Sequence, residues 1–180
     1  MNNETKLIKQ IKTKGNRKAA NELITRYYKE IYAYVYKQTM DKEMSMDLTQ
    51  EIFINMLKSI NTYDDKKASF RTWLYKISTY KIIDYYRSKH YKYKKISINI
   101  QDTEIHDNGD VFISVEYKED IQKIINTVDK FDELLQQIFR LKIFAEYTFL
   151  EISKTLEIPE STVKTKYYSL IKKIKKICEE

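Results

Sequence analysis

Thr148-Phe149-Leu150-Glu151-Ile152-Ser153-Lys154-Thr155-Leu156-Glu157-Ile158-Pro159-Glu160-Ser161-Thr162-Val163-Lys164-Thr165-Lys166-Tyr167-Tyr168-Ser169 reads as a helix, a tight turn and a basic second helix that continues to Ile174. Ile152, Leu156, Ile158 and Val163 are the apolar positions that lock two short helices across a turn. Pro159 suits the first turn of a new helix, where a missing N–H has no intrahelical carbonyl to lose. Beyond it, Val163, Tyr167, Leu170, Ile171 and Ile174 recur at three- and four-residue spacing, so one face is buried. The opposite face carries Ser161, Thr165, Tyr168, Ser169 and Lys172, flanked by Lys164 and Lys166. Hydroxyls and ammonium groups on one helical face can reach both phosphates and base edges. A helix-turn-helix seats such a second helix in the major groove. An ordinary αα-hairpin with a solvated charged face is the alternative reading of the same residues.

Outward from this segment, the chain keeps a helical character. Its 180 residues contain one Pro and two Gly, too few turn residues for a strand-rich fold. Ala20, Leu23, Ile24, Tyr27, Ile31, Tyr34 and Val35 mark an amphipathic helix over 17–39. Ser45 is positioned to cap a second helix, with Asp47 in its first turn and Leu48, Ile52 and Met56 inward, running to about Ser59. A polar loop, Asn61 to Ser69, precedes a third helix capped by Ser69 and reaching Arg87 or slightly beyond, with Phe70, Trp73, Leu74 and Ile77 buried. Periodicity is lost from about Lys92 to Lys118 and returns with Ile121, Ile124, Ile125 and Val128, then Leu134, Leu135, Ile138, Phe139 and Leu141. The reading is an all-α protein of two small helical domains, 1–95 and 119–180, the second a helix-turn-helix, joined by a flexible acidic linker over 96–118.

Charge follows the same division. Residues 1–95 hold 21 Lys and Arg against 10 acids, 96–120 one Lys against seven, and 121–180 11 against nine, within a net charge of +7. Basic ends around an acidic middle suggest two nucleic-acid-facing modules, although a lysine-rich solvated surface has the same composition. Cys178 stands alone, so neither an intramolecular disulfide nor a cysteine metal cluster can form, and His90 and His106 read as surface residues. The sequence offers no metal site, no catalytic nucleophile–base pair and no phosphate-binding glycine loop, so it predicts no cofactor, no small-molecule substrate and no enzyme. With no membrane-length apolar run and no signal-peptide pattern, a soluble cytoplasmic protein is expected.

Two further motifs carry a resemblance. Met46-Asp47-Leu48-Thr49-Gln50-Glu51-Ile52-Phe53-Ile54 resembles the D-L-x-Q-E-x-F signature of bacterial sigma factors, and Phe70-Arg71-Thr72-Trp73-Leu74-Tyr75-Lys76-Ile77-Ser78 their F-x-T-W-L-Y-R-I-A helix, followed by Asp84-Tyr85-Tyr86-Arg87. Asp129 to Ser169 is similar to their C-terminal helix-turn-helix domain. Order and spacing agree across nearly the whole chain, in the layout of the compact extracytoplasmic-function (ECF) group. The resemblance implies a protein that directs core RNA polymerase to promoters and initiates transcription, generally under an anti-sigma factor that is often membrane-bound. Asp47, Gln50, Glu51 and Ile54 share one helical stripe, apart from the inward one. By resemblance this stripe docks on the polymerase β′ clamp, with the β subunit also a partner. Tyr63, Lys66, Lys67, Arg71, Lys76 and Tyr80 are implied at the minus-ten element, where strand capture needs base pockets and cations. Tyr80 stands where the family commonly has Asn. A phenol can stack on a base but cannot copy a bidentate amide contact. Asp84 and Arg87 read as a structural ion pair. Ser161, Thr162, Lys164, Thr165, Lys166 and Ser169 are implied at the minus-thirty-five element. Lys164 and Lys166, where the family often has Arg, favour phosphate anchoring over base readout. The remaining alternatives are a stand-alone helix-turn-helix regulator, for which no dimerisation helix is visible, and a helical polymerase adaptor that reads no DNA.

Overall fold

The computed structural model describes residues 3–96 and 115–178, all of whose regular elements are helical. Of the expected linker, 96–118, residues 97–114 lie outside the described residues, whereas Ile96 and residues 115–118 are already helical. The helices are α1 (Asn3–Lys14), α2 (Arg17–Thr39), α3 (Lys42–Ser59), α4 (Phe70–Ile96), α5 (Val115–Val128), α6 (Glu133–Ile143), α7 (Phe149–Leu156) and α8 (Glu160–Cys178), with a single 3-10 turn at Ile60–Thr62. No described helix is long and apolar enough to cross a membrane.

Local chemistry sets most boundaries. Gly15 takes φ +56, a left-handed conformation open to a residue without Cβ, and turns α1 into α2. The Asn16 side chain then accepts from the amides of Lys18 and Ala19 at 3.0 and 3.2 Å, capping α2. Ser69 caps α4 as expected, its hydroxyl accepting from the Thr72 amide at 3.1 Å. The cap of α3 differs from the sequence reading. Asp41, not Ser45, accepts from the Met44 amide at 2.9 Å, because the left-handed Met40 ends α2 and forces the next helix to start at once. Ser45 is buried inside the first turn, donating to the Asp41 carbonyl. The sequence reading also placed no helix over 3–14, where Leu7, Ile8 and Ile11 pack α1 onto α2.

Helix α4 is the centre of the molecule. It packs on α2 and α3 along one side and on α6 and α7 along another. The two sequence-defined halves therefore lie against each other, and one hydrophobic cluster runs through both, from Leu23, Ile31, Ile52 and Leu74 to Ile138, Leu141, Tyr147 and Val163. Each fully buried Leu or Ile contributes roughly 1.5–3 kcal/mol. Val128, Leu135, Phe139, Leu170 and Ile174 form a second cluster that pins α8 to α5 and α6. The junction between the halves also contains polar groups. Arg140 is 1% exposed. It donates to Gln38 Oε1 at 2.7 Å and to Asp129 Oδ1 at 2.6 Å, over the Tyr86 ring, while the Tyr86 hydroxyl donates to the Gln38 carbonyl at 2.6 Å.

Candidate nucleic-acid and partner interfaces

Asp47, Gln50, Glu51 and Ile54 all emerge on one exposed stripe of α3, while Leu48, Ile52 and Met56 are buried behind it. Ile54 is 49% exposed, an unusual position for isoleucine, and Met46 adds a second exposed apolar side chain nearby. Glu51 is tied by Lys81 of α4, which leaves Asp47 and Gln50 as the polar groups of the stripe with the fewest internal ties. The arrangement can receive a helix that presents cations around an apolar contact.

The second surface combines the loop before α4 with α4 itself. Lys66 and Lys67 are exposed at the loop tip. Tyr63, a sequence candidate for holding a base, is instead only 8% exposed. Its ring lies 5.5 Å from Phe70 and 5.3 Å from Trp73, and its hydroxyl donates to the Ala68 carbonyl at 3.1 Å. Lys12 of α1 donates to the Tyr63 carbonyl at 2.5 Å. Burial, with the charges of Glu4, Asp65 and Asp64, pushes the Tyr63 phenol up to about 12. Tyr63 thus works as a wedge that shapes the loop, with its ring faces already occupied. Trp73 is half-buried beside it, as the packing reading expected.

The cations of α4 are engaged from within. Arg71 meets Glu30 Oε1 at 2.5 Å and lies 4.8 and 5.3 Å from the rings of Tyr75 and Tyr147. Lys76 pairs with Glu157 at 3.0 Å. That ammonium holds the Glu157 carboxyl below its ordinary range, by hydrogen bond first and by charge second. Tyr80 is 38% exposed and opens onto a groove of about 420 Å³ between α3 and α4, which Asn55, Lys58 and Lys81 also line. Arg87 reaches Asp84 only at 3.8 Å and makes the shorter pair, 2.9 Å, with Glu133 of α6.

The third surface is built on α7 and α8. Thr148 and Glu151 form a reciprocal capping box at the start of α7. Glu157 closes α7 in the left-handed conformation, φ +58, with its amide on the Ser153 carbonyl. Ile152 and Val163 are fully buried across this turn, and Phe149 packs on Tyr167 and Tyr168 at 5.4 and 5.9 Å. Ser161, Lys164, Thr165 and Ser169 are exposed along α8, while Thr162 and Lys166 are half-buried. Lys164 is paired with Glu160 one turn back at 2.8 Å, which raises its pKa. Sequence reasoning missed Glu30, Gln38, Arg140, Tyr147 and Glu157, the residues that join or brace the halves. The one legible signal was Arg140, a lone guanidinium within the apolar run of α6.

Residues 23–91 match the family described as Sigma-70 region 2. The chain is 32% identical over 175 residues to the ECF RNA polymerase sigma factor SigW of Bacillus subtilis (strain 168), covering 91% of this chain and 90% of that protein. It is 27% identical over 161 residues to the ECF RNA polymerase sigma factor SigX of the same strain, covering 85% and 80%. Among solved structures, CnrH in complex with the cytosolic domain of CnrY superposes with a TM-score of 0.62 at 16% identity, covering 99% of this chain and 98% of that one. With the α3 and α4 motifs on adjoining surfaces and a relative this similar over nine-tenths of its length, the chain belongs to the ECF RNA polymerase sigma factors.

Proposed function

We propose that the chain directs core RNA polymerase to promoters through three faces. Asp47, Gln50, Glu51 and Ile54 of α3 dock on the polymerase. Lys66, Lys67, Arg71, Lys76 and Tyr80 hold the opened minus-ten strand on a loop that Tyr63 shapes. Ser161, Thr162, Lys164, Thr165, Lys166 and Ser169 of α8 contact the minus-thirty-five duplex. The division of labour follows the sequence halves, 1–95 for docking and strand capture and 119–180 for the upstream element. The chain is an initiation factor, and the chemistry of RNA synthesis belongs to the polymerase. The observation that carries this reading is the α3 stripe, where an exposed isoleucine lies between carboxylates and an amide on a helix whose other side is fully packed. A partner is the simplest use for such a face.

Strand capture suits the α3–α4 groove. A base leaving the stack needs a shaped recess and an aromatic partner, and Tyr80 offers its ring at the groove with Lys58 at its edge for phosphates. Since the site has a phenol where the family commonly has an amide, stacking contributes more here than hydrogen-bond readout. On α8 the cations are lysines, which anchor phosphates as point charges.

The test is co-elution with bacterial core RNA polymerase, followed by promoter use. The wild-type chain forms a stoichiometric complex. The D47A/Q50A variant remains folded and loses about tenfold or more in affinity, the size of a small hot spot at an interface. The K164A/K166A variant retains polymerase binding and loses use of the upstream element. Unchanged affinity of D47A/Q50A removes the docking face, and a chain that binds duplex DNA but no polymerase restores the stand-alone regulator.

A further inference from the structure

Helix α1 packs on α2 through Leu7, Ile8 and Ile11 and also touches the 3-10 turn at Ile60–Thr62, from which the loop before α4 departs. Lys12 follows Ile8 by one helical turn, so its stem leaves the edge of the apolar stripe toward that loop. Its ammonium donates to the Tyr63 carbonyl at 2.5 Å and lies 5.5 Å from the centre of the Tyr63 ring. The other hydrogen bonds of residues 63–68 are local. The Tyr63 amide donates to the Ile60 carbonyl at 3.2 Å, the Lys67 amide to the Asp64 carbonyl at 3.2 Å and the Lys66 amide to the Asp64 side chain at 3.0 Å. Among the described residues, Lys12 is therefore the hydrogen-bonding tie between this loop and a remote part of the chain, 51 residues away.

Charge is sorted across the same contact. A recess of about 320 Å³ between α1 and the loop has Glu4, Lys9 and Lys12 on one side and Tyr63, Asp64 and Asp65 on the other. Lys66 and Lys67 lie outside it, exposed at the loop tip. The lysines of α1 therefore meet the loop's carboxylates, while the loop's own ammonium groups keep the solvent side. Glu4 adds an indirect brace. It accepts from the Tyr27 hydroxyl at 2.5 Å, and the Tyr27 ring lies 5.3 Å from Phe70, one wall of the Tyr63 wedge.

We propose that Lys12 is a positioning residue for strand capture: from α1 it fixes the backbone at Tyr63 and holds the acidic side of the loop, so that Lys66 and Lys67 are set for the minus-ten strand before it arrives. This rests on the strand-capture assignment of the loop made above. Loop amides bonded only to near neighbours open easily, and ordering them during capture would cost conformational entropy at every residue. A tie made beforehand removes that cost from the binding step. Lys12 also faces Asp64 and Asp65, whose charges would otherwise repel an approaching phosphate. An ammonium suits both tasks, because it donates to a carbonyl and offsets the carboxylates at once. No contact with DNA is required of it.

The experiment compares the full-length wild type with K12M, which keeps the stem and removes the ammonium, and with K12R, which keeps a charged donor. K9M is the control, since Lys9 lines the same recess but is exposed. In hydrogen exchange, the amides of Lys66, Lys67 and Ala68 exchange roughly tenfold faster in K12M, the lower end of what a hydrogen bond from a charged donor contributes. Those of α2 and α4 keep wild-type rates. K12M binds core polymerase with wild-type affinity and opens promoters severalfold more slowly, read as permanganate reactivity of unpaired minus-ten thymines. K12R and K9M match wild type in both measurements. A K12M indistinguishable from K9M, a K12R as slow as K12M, or faster exchange spread through α2 and α4 overturns the positioning role. K66A/K67A separates this from the underlying assignment. If K66A/K67A opens promoters slowly and K12M does not, only the role of Lys12 falls. If K66A/K67A opens them at the wild-type rate, strand capture by the loop falls and the positioning role with it.

Discussion

Arg140 shows how much one side chain can fix. Its guanidinium is buried at the seam of the two halves, bonded to Asp129 within its own half and to Gln38 across the junction. A buried pair is weak evidence of net stabilisation, but removing one partner strands a charge in a poor solvent. Asp129→Ala is therefore expected to lose about 3 kcal/mol, read as a lower urea midpoint at unchanged slope. Arg140→Met, which keeps most of the volume and deletes the guanidinium, is expected to lose less. Equal losses for the two variants would mean that volume, and not the stranded charge, sets the cost. A guanidinium among Ile138, Phe139 and Leu141 was visible in the sequence, but its partners were not. Gln38 is 102 residues away, and no local pattern predicts a pairing at that distance. Tyr63 illustrates the converse. Its place in the loop before α4 implied, by resemblance, an aromatic that holds a base, whereas the loop needs a wedge and Phe70 and Trp73 supply the walls.

Elements were more legible than residues. The apolar spacing of α2, α3, α4 and α8 is long enough to override local ambiguity, and their described bounds follow the periodic stretches. Helix α1 escaped because three apolar residues among several lysines make a short, weak stripe. The start of α3 was misplaced because Asp41 and Ser45 are both good caps, and only the left-handed end of α2 decides between them. Helix α7 has eight residues and leans on its cap. Thr148→Ala is expected to lower stability by about 1 kcal/mol. The Thr148 backbone amide, then its hydroxyl, hold the Glu151 carboxyl below its ordinary range. The contribution of that charge is complete above the ordinary carboxylate pKa and is lost as pH falls through the lowered value. Glu151→Gln should accordingly trail wild type at neutral pH, and the gap should close toward pH ~3, below the usual glutamate range. A constant gap between the two midpoints would assign the cap's effect to packing.

At the scale of the whole molecule, composition correctly divided the charge but said nothing about how the halves meet. The exposed charges of α2, α4 and the turns flanking α7 have no periodicity to betray a partner, so the seam had to be found in three dimensions. One further consequence concerns light. Trp73 is the only tryptophan in the chain, against 16 tyrosines. Its indole lies 5.3 Å from Tyr63 and 5.7 Å from Phe70, at the root of the loop assigned to strand capture. Excited at the red edge of its absorption, where the tyrosines are silent, it reports on that corner alone. Its emission should move to longer wavelength when Tyr63→Ala removes the wedge and wets the ring. A matching shift when an opened promoter strand binds the polymerase complex of the wild-type chain would mark rearrangement of the loop, although every other tryptophan in that complex must first be subtracted. An emission maximum unmoved by Tyr63→Ala would mean that the indole is shielded from elsewhere. The corner that orders the loop thus doubles as its own spectroscopic reporter, with no dye attached.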